Sequence, residues 1–482
     1  MAKEIAIVGA GVGGLATAAR LARDGHRVQV YEKLDRPGGR NHLLEDAGFR
    51  FDMGPSFVLM PDFYREVFDY CGANLGDYLD LRTLDTHYKI FYPDGDVLNV
   101  TRDTARLKDE LERIEPGSSR GYDEMIAETG RIYQAVEPLL YECFTKRSLL
   151  EPRLWPLLPK LRVHETYWGL ACRHFRSEKL RYAFTFEAMF IGVSPFAAPA
   201  FYSIITYTDQ AHKIGHPMGG MYQIPLSLVR LAQEHGAQFH YNAEVQRVTP
   251  GRDGVRLQVG GDVIAADAAV INADYPYARE MLLGQPLPEY EYSCSVYLLY
   301  LGLKEKVPHL EHHNLFFARD LRLNLAQIFQ SQEMPSDPSF YIHVPTVTDP
   351  SLAPPGKEIL YVLIPVPNLK GGRDEIAAHE ERLRRLVLDR VRAVSGVDVE
   401  PLIEVEHRFY PRDFARYNCK YGATFGLSHS LMQSAFFRPP NWDPALPHTY
   451  FVGASTQPGG GLPVVMASSR IVADLVNRHD RG

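Results

Sequence analysis

Cysteine is scarce in this sequence. Cys71, Cys143, Cys172, Cys294 and Cys419 are five in 482 residues, widely spaced and never in a CxxC or a Cys/His cluster. A disulfide scaffold is excluded on that ground, and no zinc or other metal site is expected. An excess of positive charge is missing too: 59 acidic residues against 52 basic ones leave a net charge of -7, so nucleic acid is not an expected partner. No secretory leader precedes the first predicted strand, which points to a reducing cytoplasm. Internal repeats and low-complexity tracts are absent as well. The one nearly uncharged stretch of membrane-span length, Ile5 to Ala22, carries four glycines between residues 9 and 14. With the charges and the strand-like Arg27 to Tyr31 behind it, it reads as a βαβ unit and not as a span.

What is present is a soluble composition, 45% apolar and 23% charged, in a chain too long for one core of ordinary size. Glu4 to Val8 reads as a buried parallel strand, Gly13 to Asp24 as a helix with alanines toward the sheet, and Arg27 to Tyr31 as the next strand. Phe51-Asp52-Met53-Gly54-Pro55-Ser56 reads as a loop. Helical patterns cover Pro61 to Gly76, Thr104 to Glu142, Gln223 to His235, Glu375 to Ser395 and Pro463 to His479. Strands are predicted at Gln238 to Tyr241, Glu244 to Val248, Val255 to Val259, Asp262 to Ala266, Ala268 to Asn272, Ser295 to Leu303, Ser339 to Val344, Ile359 to Val366 and Tyr450 to Val452. The stretch from Lys146 to Ile214 mixes basic with bulky apolar residues and reads as a mostly helical insertion.

Gly9, Gly11 and Gly14 form a GxGxxG after a strand and at the start of a helix. The first glycine makes the tight turn, the second admits a pyrophosphate, and the third lets helix and strand pack closely. Glu32, at the end of the second strand, can accept hydrogen bonds from ribose hydroxyls and would repel a 2′-phosphate, which disfavours NADP. These residues alone leave FAD and NAD both open.

Arg36-Pro37-Gly38-Gly39-Arg40 resembles the extension found in flavoproteins of the amine-oxidase and carotenoid-desaturase superfamily. Gly453-Ala454-Ser455-Thr456-Gln457-Pro458-Gly459 with Gly461-Leu462-Pro463 is similar to the bacterial-type phytoene desaturase signature. So are Phe425-Gly426-Leu427 and Gln433-Ser434-Ala435-Phe436-Phe437-Arg438-Pro439. In the middle of the chain, Pro217 to Met221 before Ile224-Pro225, then Glu244-Val245 and Asn272-Ala273-Asp274, agree with that family in order and spacing. The resemblance implies FAD as cofactor, held by Gly9, Gly11, Gly13, Gly14, Glu32, Lys33, Gly38, Gly39, Arg40, Gly54, Pro55, Ser56, Val245, Gly453, Gly461 and Leu462. Val245 would hold the adenine ring through its backbone, Gly453 would sit near the pyrophosphate, and Gly461 and Leu462 would lie by the flavin ring. More distant relatives place an acid just after the glycine that Gly453 matches. Ala454 and Ser455 stand there, so no carboxylate contact is expected from that point.

The expected fold is α/β: a Rossmann-like FAD-binding domain (1–100, 217–285 and 440–482), a helical substrate and membrane-facing region (101–216), and a mixed-sheet substrate domain (286–439). Phe184, Phe186, Phe190, Ile191, Phe196, Phe201, Tyr202, Ile204, Ile205 and Tyr207 are the candidate lining of an apolar tunnel, about a third of them expected to touch substrate. Nine basic residues between Lys146 and Phe184, interleaved with Leu154, Trp155, Leu157, Leu158, Leu161 and Trp168, read either as a patch for an anionic membrane surface or as a solvated basic face. No Ser/His/Asp or paired-carboxylate set stands out, and Glu187, Asp209 and His212 are the nearest polar candidates, each better explained as structural. The resemblance implies desaturation of a polyisoprenoid of the phytoene or diapophytoene type in carotenoid biosynthesis, with a quinone or oxygen as electron acceptor, by a cytoplasmic protein held at the membrane periphery. A desaturase of hydroxylated carotenoids, a carotenoid isomerase, or a flavin-containing isoprenoid-binding protein without turnover would carry the same motifs.

Overall fold

A computed structural model of the chain describes residues 2–479. Its first elements are β1 (Glu4–Val8), α1 (Val12–Arg23) and β2 (Arg27–Tyr31). β1 is flanked by β2 on one side and Ala268–Ile271 on the other. Gln238–His240 and Thr449–Phe451 complete a five-stranded sheet that is parallel throughout. Parallel strands need helices on their faces, and their near-continuous apolar runs follow from burial on both sides. Gly13, Gly14, Ala16, Ala18 and Ala19 keep α1 small enough to lie close to the strands, all of them buried. On its other flanks α1 meets the helices Gln223–Glu234 and Leu462–Arg478. Arg20, fully buried, ties the three layers together by pairing with Glu66 and donating to Ser469 Oγ over 3.1 Å.

The second sheet has seven strands in the order Ile403–Phe409, Ser295–Leu303, Glu358–Val366, Phe340–His343, His313–Phe316, Thr86–Phe91 and Val97–Thr101. All pairs are antiparallel except His313–Phe316 with Thr86–Phe91. Ser295–Leu303 is buried at every residue, yet its period of two still sorts the side chains. Tyr297, Leu299, Leu301 and Leu303 pack with the apolar stripe of helix Ile376–Ser395. Val296, Leu298 and Tyr300 point the opposite way, into a cavity between the two sheets. Tyr361, Leu363 and Pro365 of Glu358–Val366 face the same cavity by the same alternation.

Several elements differ from expectation. Phe49–Met53 is a strand paired with His42–Asp46, where a loop was expected, because Phe49 and Phe51 are buried against the second sheet. Thr86–Phe91 and Val97–Thr101 lie at the edge of the seven-stranded sheet and have no pairing with the nucleotide-type sheet, although the sequence grouped residues up to 100 with the latter. Between residues 101 and 216 run the helices Thr104–Ile114, Ser118–Val136, Tyr167–His174, Glu178–Ala183 and Ile204–His212, which share one core with that sheet edge. The basic stretch within it, Lys146–Leu150 and Pro152–Leu157, forms only short 3-10 turns. Pro152 and Pro156 remove the amide donors that an α-helix would need. Among the described residues no helix is long and apolar enough to cross a membrane.

Candidate functional site

Where the two sheets face each other lies a continuous cavity of about 500 Å³. One arm begins at the carboxyl ends of β1, β2 and Ala268–Ile271, the place where open α/β sheets bind their ligands. Gly9 has φ +100°, and the N-terminus of α1, with no acidic residue in its first turn, faces the cavity through Gly11, Val12 and Gly13. Free amides at such an end favour a phosphate. Gly14 does not reach the cavity. A Cβ there would lie 2.3 Å from the Gly9 carbonyl oxygen and 3.1 Å from Asn272 Cβ, so it is the contact between helix and strands that requires this glycine.

Glu32 is held by two backbone amides: Oε2 accepts from Ala10 at 2.7 Å and Oε1 from Leu34 at 2.9 Å. Burial pushes its carboxyl above the ordinary range, partly offset by those same amides. Gly38, with φ +116°, donates its amide to Ala10 O over 2.8 Å and is bridged to Gly11, so the second glycine loop is laced onto the first. Arg40 Nη1 donates to Thr424 O at 2.8 Å, which pins the guanidinium to the far half of the chain. Fifteen of the sixteen residues expected at the cofactor line this one cavity, Gly14 being the exception.

The loop after Thr449–Phe451 is where structure adds most. Arg438 is 1% exposed and donates to five carbonyl oxygens, those of Leu427, Ser428, Gln433, Ala454 and Thr456. Gln457 accepts from Phe144 N and donates to the carbonyls of Phe144, Ala435 and Arg438. Asn441 bridges Phe451 O, Gln457 O and Ser468 Oγ. The polar residues of the C-terminal motifs are thus a scaffold that shapes the glycine loop from behind. Gly461, with φ +104°, has nothing within 4 Å of where a Cβ would stand, so the loop leaves open space of the kind a ring system fills. A carboxylate does stand beside this loop, from another strand end: Ser455 Oγ donates to Asp274 Oδ1 at 2.6 Å, and Asp274 lines the cavity. Burial raises its pKa against the opposing pull of Arg40.

The second arm is apolar. Of the ten tunnel candidates, Phe186, Phe190, Ile191, Tyr202, Ile204 and Ile205 line it, six where a third was expected. Phe184, Phe196, Phe201 and Tyr207 do not. The sequence reading missed the opposite wall, including Phe57, Leu140, Phe317, Leu325, Ile328 and Tyr341, because these come from strand, helix and loop segments far apart in the chain. His429 sits at the junction of the arms, where Nε2 accepts from Gly460 N at 3.0 Å, leaving Nδ1 to donate to Ile191 O at 3.2 Å. With both nitrogens engaged and burial holding it neutral, His429 positions the loop. The charged residues lining the cavity, Glu32, Lys33, Arg40, Glu244 and Asp274, all lie on the nucleotide side.

Glu187 and Asp209 lie behind the tunnel wall and do not line it. Tyr88 donates to both, Tyr167 donates to Glu187, and His87 Nδ1 lies 2.8 Å from Asp209. His212 also lies outside the lining, edge-on to Tyr133 and Tyr207. Burial, with the Asp209 charge beside it, pushes Glu187 up to about 8. A raised carboxyl pKa stabilises the fold fully below the ordinary value of 4.5, and this contribution is lost as pH rises through about 8. Over that window the native state holds one proton more than the unfolded chain, which is a slope of roughly 1.4 kcal/mol per pH unit. Glu187→Gln keeps the hydrogen-bond acceptor without the titration. Urea midpoints of the two proteins should therefore draw apart from about pH 5 to about pH 7, with the wild type losing ground on the order of 1 kcal/mol per unit. Parallel curves would show Glu187 to be ionised when folded.

The family model described as flavin containing amine oxidoreductase matches residues 12–477 of the chain. A zeta-carotene-forming phytoene desaturase from Myxococcus xanthus is 42% identical over 98% of this chain and 93% of its own length. A 4,4'-diapophytoene desaturase (4,4'-diaponeurosporene-forming) from Staphylococcus haemolyticus is 37% identical over 98% of both chains. Among solved structures, cyclohexylamine oxidase from Brevibacterium oxydans superposes with a TM-score of 0.65 at 17% identity over the full length of both chains. At that identity the likeness is one of fold.

Proposed function

The chain belongs to the flavin-containing amine oxidoreductases, and from that premise we propose that it desaturates a long apolar polyisoprenoid of the phytoene or diapophytoene type in carotenoid biosynthesis. The observation that carries this reading is the joining of a glycine cradle to an uncharged, aromatic-rich tunnel in one cavity. The residues fit FAD. The α1 N-terminus and Gly453 would hold the pyrophosphate, Glu32 the ribose and Val245 the adenine, while Arg40, Gly461 and Leu462 would border the flavin ring. Bound there, FAD supplies the one chemistry that no side chain of this protein has, acceptance of a hydride.

The protein's own residues do the rest by placement. The tunnel desolvates the chain and lays it past the Gly459 to Gly461 loop, so that one carbon–carbon unit at a time meets the cofactor. Phe57, Phe186 and Phe190 line the tunnel and pack against one another, so charge developing along an allylic system is flanked by π-rich side chains. Each double bond formed would take two hydrogens from the substrate, a hydride to the bound FAD and a proton to water, and a quinone or oxygen would take the electrons onward. Reconstituted with FAD and given phytoene or diapophytoene in liposomes without oxygen but with a quinone, the protein should build a polyene absorption from one of the two. Repeating the assay in air without quinone identifies the acceptor. No product from either substrate would overturn the assignment.

Such substrates dissolve only in lipid, and we place the membrane contact at residues 149 to 158. Five of the nine basic residues there and just beyond, Arg153, Arg162, Arg173, Arg176 and Lys179, are paired with acids of this chain, which weakens an electrostatic reading. Leu150 and Trp155, 75% and 56% exposed, stand beside the exposed Leu149 and Leu158 and favour an apolar one. Leu150→Glu with Trp155→Glu should lower flotation with neutral phosphatidylcholine vesicles about tenfold or more, the loss of roughly 1.4 kcal/mol of insertion. Unchanged flotation would remove this surface from consideration.

A further inference from the structure

Away from the cavity lining, at the seam between the two halves of the molecule, three histidines meet. His216 lies on Gly215–Pro217, His312 just before His313–Phe316, and His343 at the end of Phe340–His343. All three are buried, and one ring nitrogen from each lies within 4.8 Å of the others. His312 Nε2 and His343 Nε2 are 2.9 Å apart, while His312 Nδ1 is fixed by Thr348 Oγ1 at 2.7 Å. Both ring nitrogens of His216 are fully buried and have no hydrogen-bond partner. Asp349, 1% exposed, brings Oδ2 to 4.0 Å from His216 Nε2.

An imidazole with two orphan nitrogens costs free energy on the order of 1–3 kcal/mol for each polar group left unpaired, so a sequence keeps it there when something else completes it. All three rings are buried, and a neutral imidazole offers a lone pair without first giving up a proton. Thr348 at His312 Nδ1 is the outer partner that orients a ligating ring. Asp349 is itself held, Oδ2 by Gly219 N at 2.5 Å and Oδ1 by Ser351 N and Oγ.

We propose that His216, His312 and His343 bind a divalent transition-metal ion of the zinc class, with the Asp349 carboxylate beside His216 as an outer partner. Three imidazole nitrogens are a donor set that suits this class of ion. Bonds of about 2.0–2.1 Å would draw in the three ring nitrogens, now within 4.8 Å of one another. The ion clamps the Gly215–Pro217 strand, and the Gly219-Gly220 turn that follows it, to the seven-stranded sheet. That turn leads into Met221 and Tyr222, whose amides bind Asp52 at 2.8 and 3.1 Å in the wall beside Gly54, so the clamp fixes the seam between cofactor and substrate walls.

The test uses the FAD-loaded protein, stripped with a chelator, dialysed against micromolar Zn²⁺ and assayed for metal by mass spectrometry. One equivalent retained by the wild type and lost in His343→Gln and in His216→Asn, with Zn²⁺ raising the melting temperature of the wild type alone, is the expected result. Equal retention by wild type and variants, or none by the wild type, overturns it. Because either variant could fail to fold, anomalous diffraction at the zinc edge on wild-type crystals decides independently: a peak among His216, His312 and His343 supports the site, and no peak there refutes it.

Discussion

Gly14→Ala should give a folded protein that leaves a desalting column without its flavin. The new Cβ would stand 2.3 Å from Gly9 O, a distance that two packed atoms never adopt, and Asn272 Cβ at 3.1 Å blocks retreat on the other side. Relief requires α1 to lift from β1, which widens the turn through Gly9 and moves the Gly11 and Val12 amides off the pyrophosphate. An affinity loss of at least about 100-fold, or roughly 2.7 kcal/mol, is expected in a titration that follows flavin fluorescence. Gly261→Ala is the control, since nothing lies within 4 Å of that Cβ position and its φ is not positive. If Gly14→Ala keeps stoichiometric flavin, helix and strand have more slack than the packing of Gly13, Ala16 and Asn272 allows.

The second large effect belongs to Arg438. Its guanidinium satisfies five buried carbonyls at once, and although burial lowers its pKa to about 10 it stays charged at neutral pH, with Asp274 as the facing acid. Arg438→Met removes every one of those bonds inside the protein. Breaking a buried charged group's contacts typically costs about 3–5 kcal/mol, and a fall of that size in the free energy of unfolding in urea is expected. Arg438→Lys should recover little, because an ammonium has three donors at one point and cannot span carbonyls on both sides of the loop. The flavin should also dissociate faster in both variants, since the Gly453 to Gly461 loop loses its backing. A lysine variant with wild-type stability would show that charge alone, and not the planar fork, holds the loop.

These two residues were unequally legible in the sequence. Gly14 announces itself through local spacing: a strand, a turn and a helix within twenty residues leave a pattern that packing geometry explains on its own. Arg438 stood in a quoted motif without a role, because its five acceptors come from two segments that are neighbours only when folded. The same holds for the tunnel. Its near wall, Phe186 to Ile205, is contiguous and could be nominated, whereas the far wall is assembled from separate segments between Phe57 and Tyr341, joined through pairings such as Asn314 with Lys89.

Charge patterning misled in an instructive way. Nine basic residues against three local acids suggested an anionic surface, yet Glu115, Glu128, Glu142, Asp94 and Asp96 arrive from earlier elements to pair with them. The spacing of cysteines also carried no information about His216, His312 and His343, which are separated by more than a hundred residues at their widest and share no sequence motif.

Short-range geometry made the βαβ unit, the glycine turns, the acid at Glu32 and a strand at Ser295–Leu303 readable from the residues alone. Each depends on steric rules that act within a few residues, so the code is local. Only the tertiary structure decided which face of that strand looks into the cavity, which acids neutralise the basic stretch, where the edge strands 86–101 pair, and that three distant histidines converge. Those outcomes depend on which long loops close, and the free energy that selects among closures is summed over the whole core and is not written at any one position.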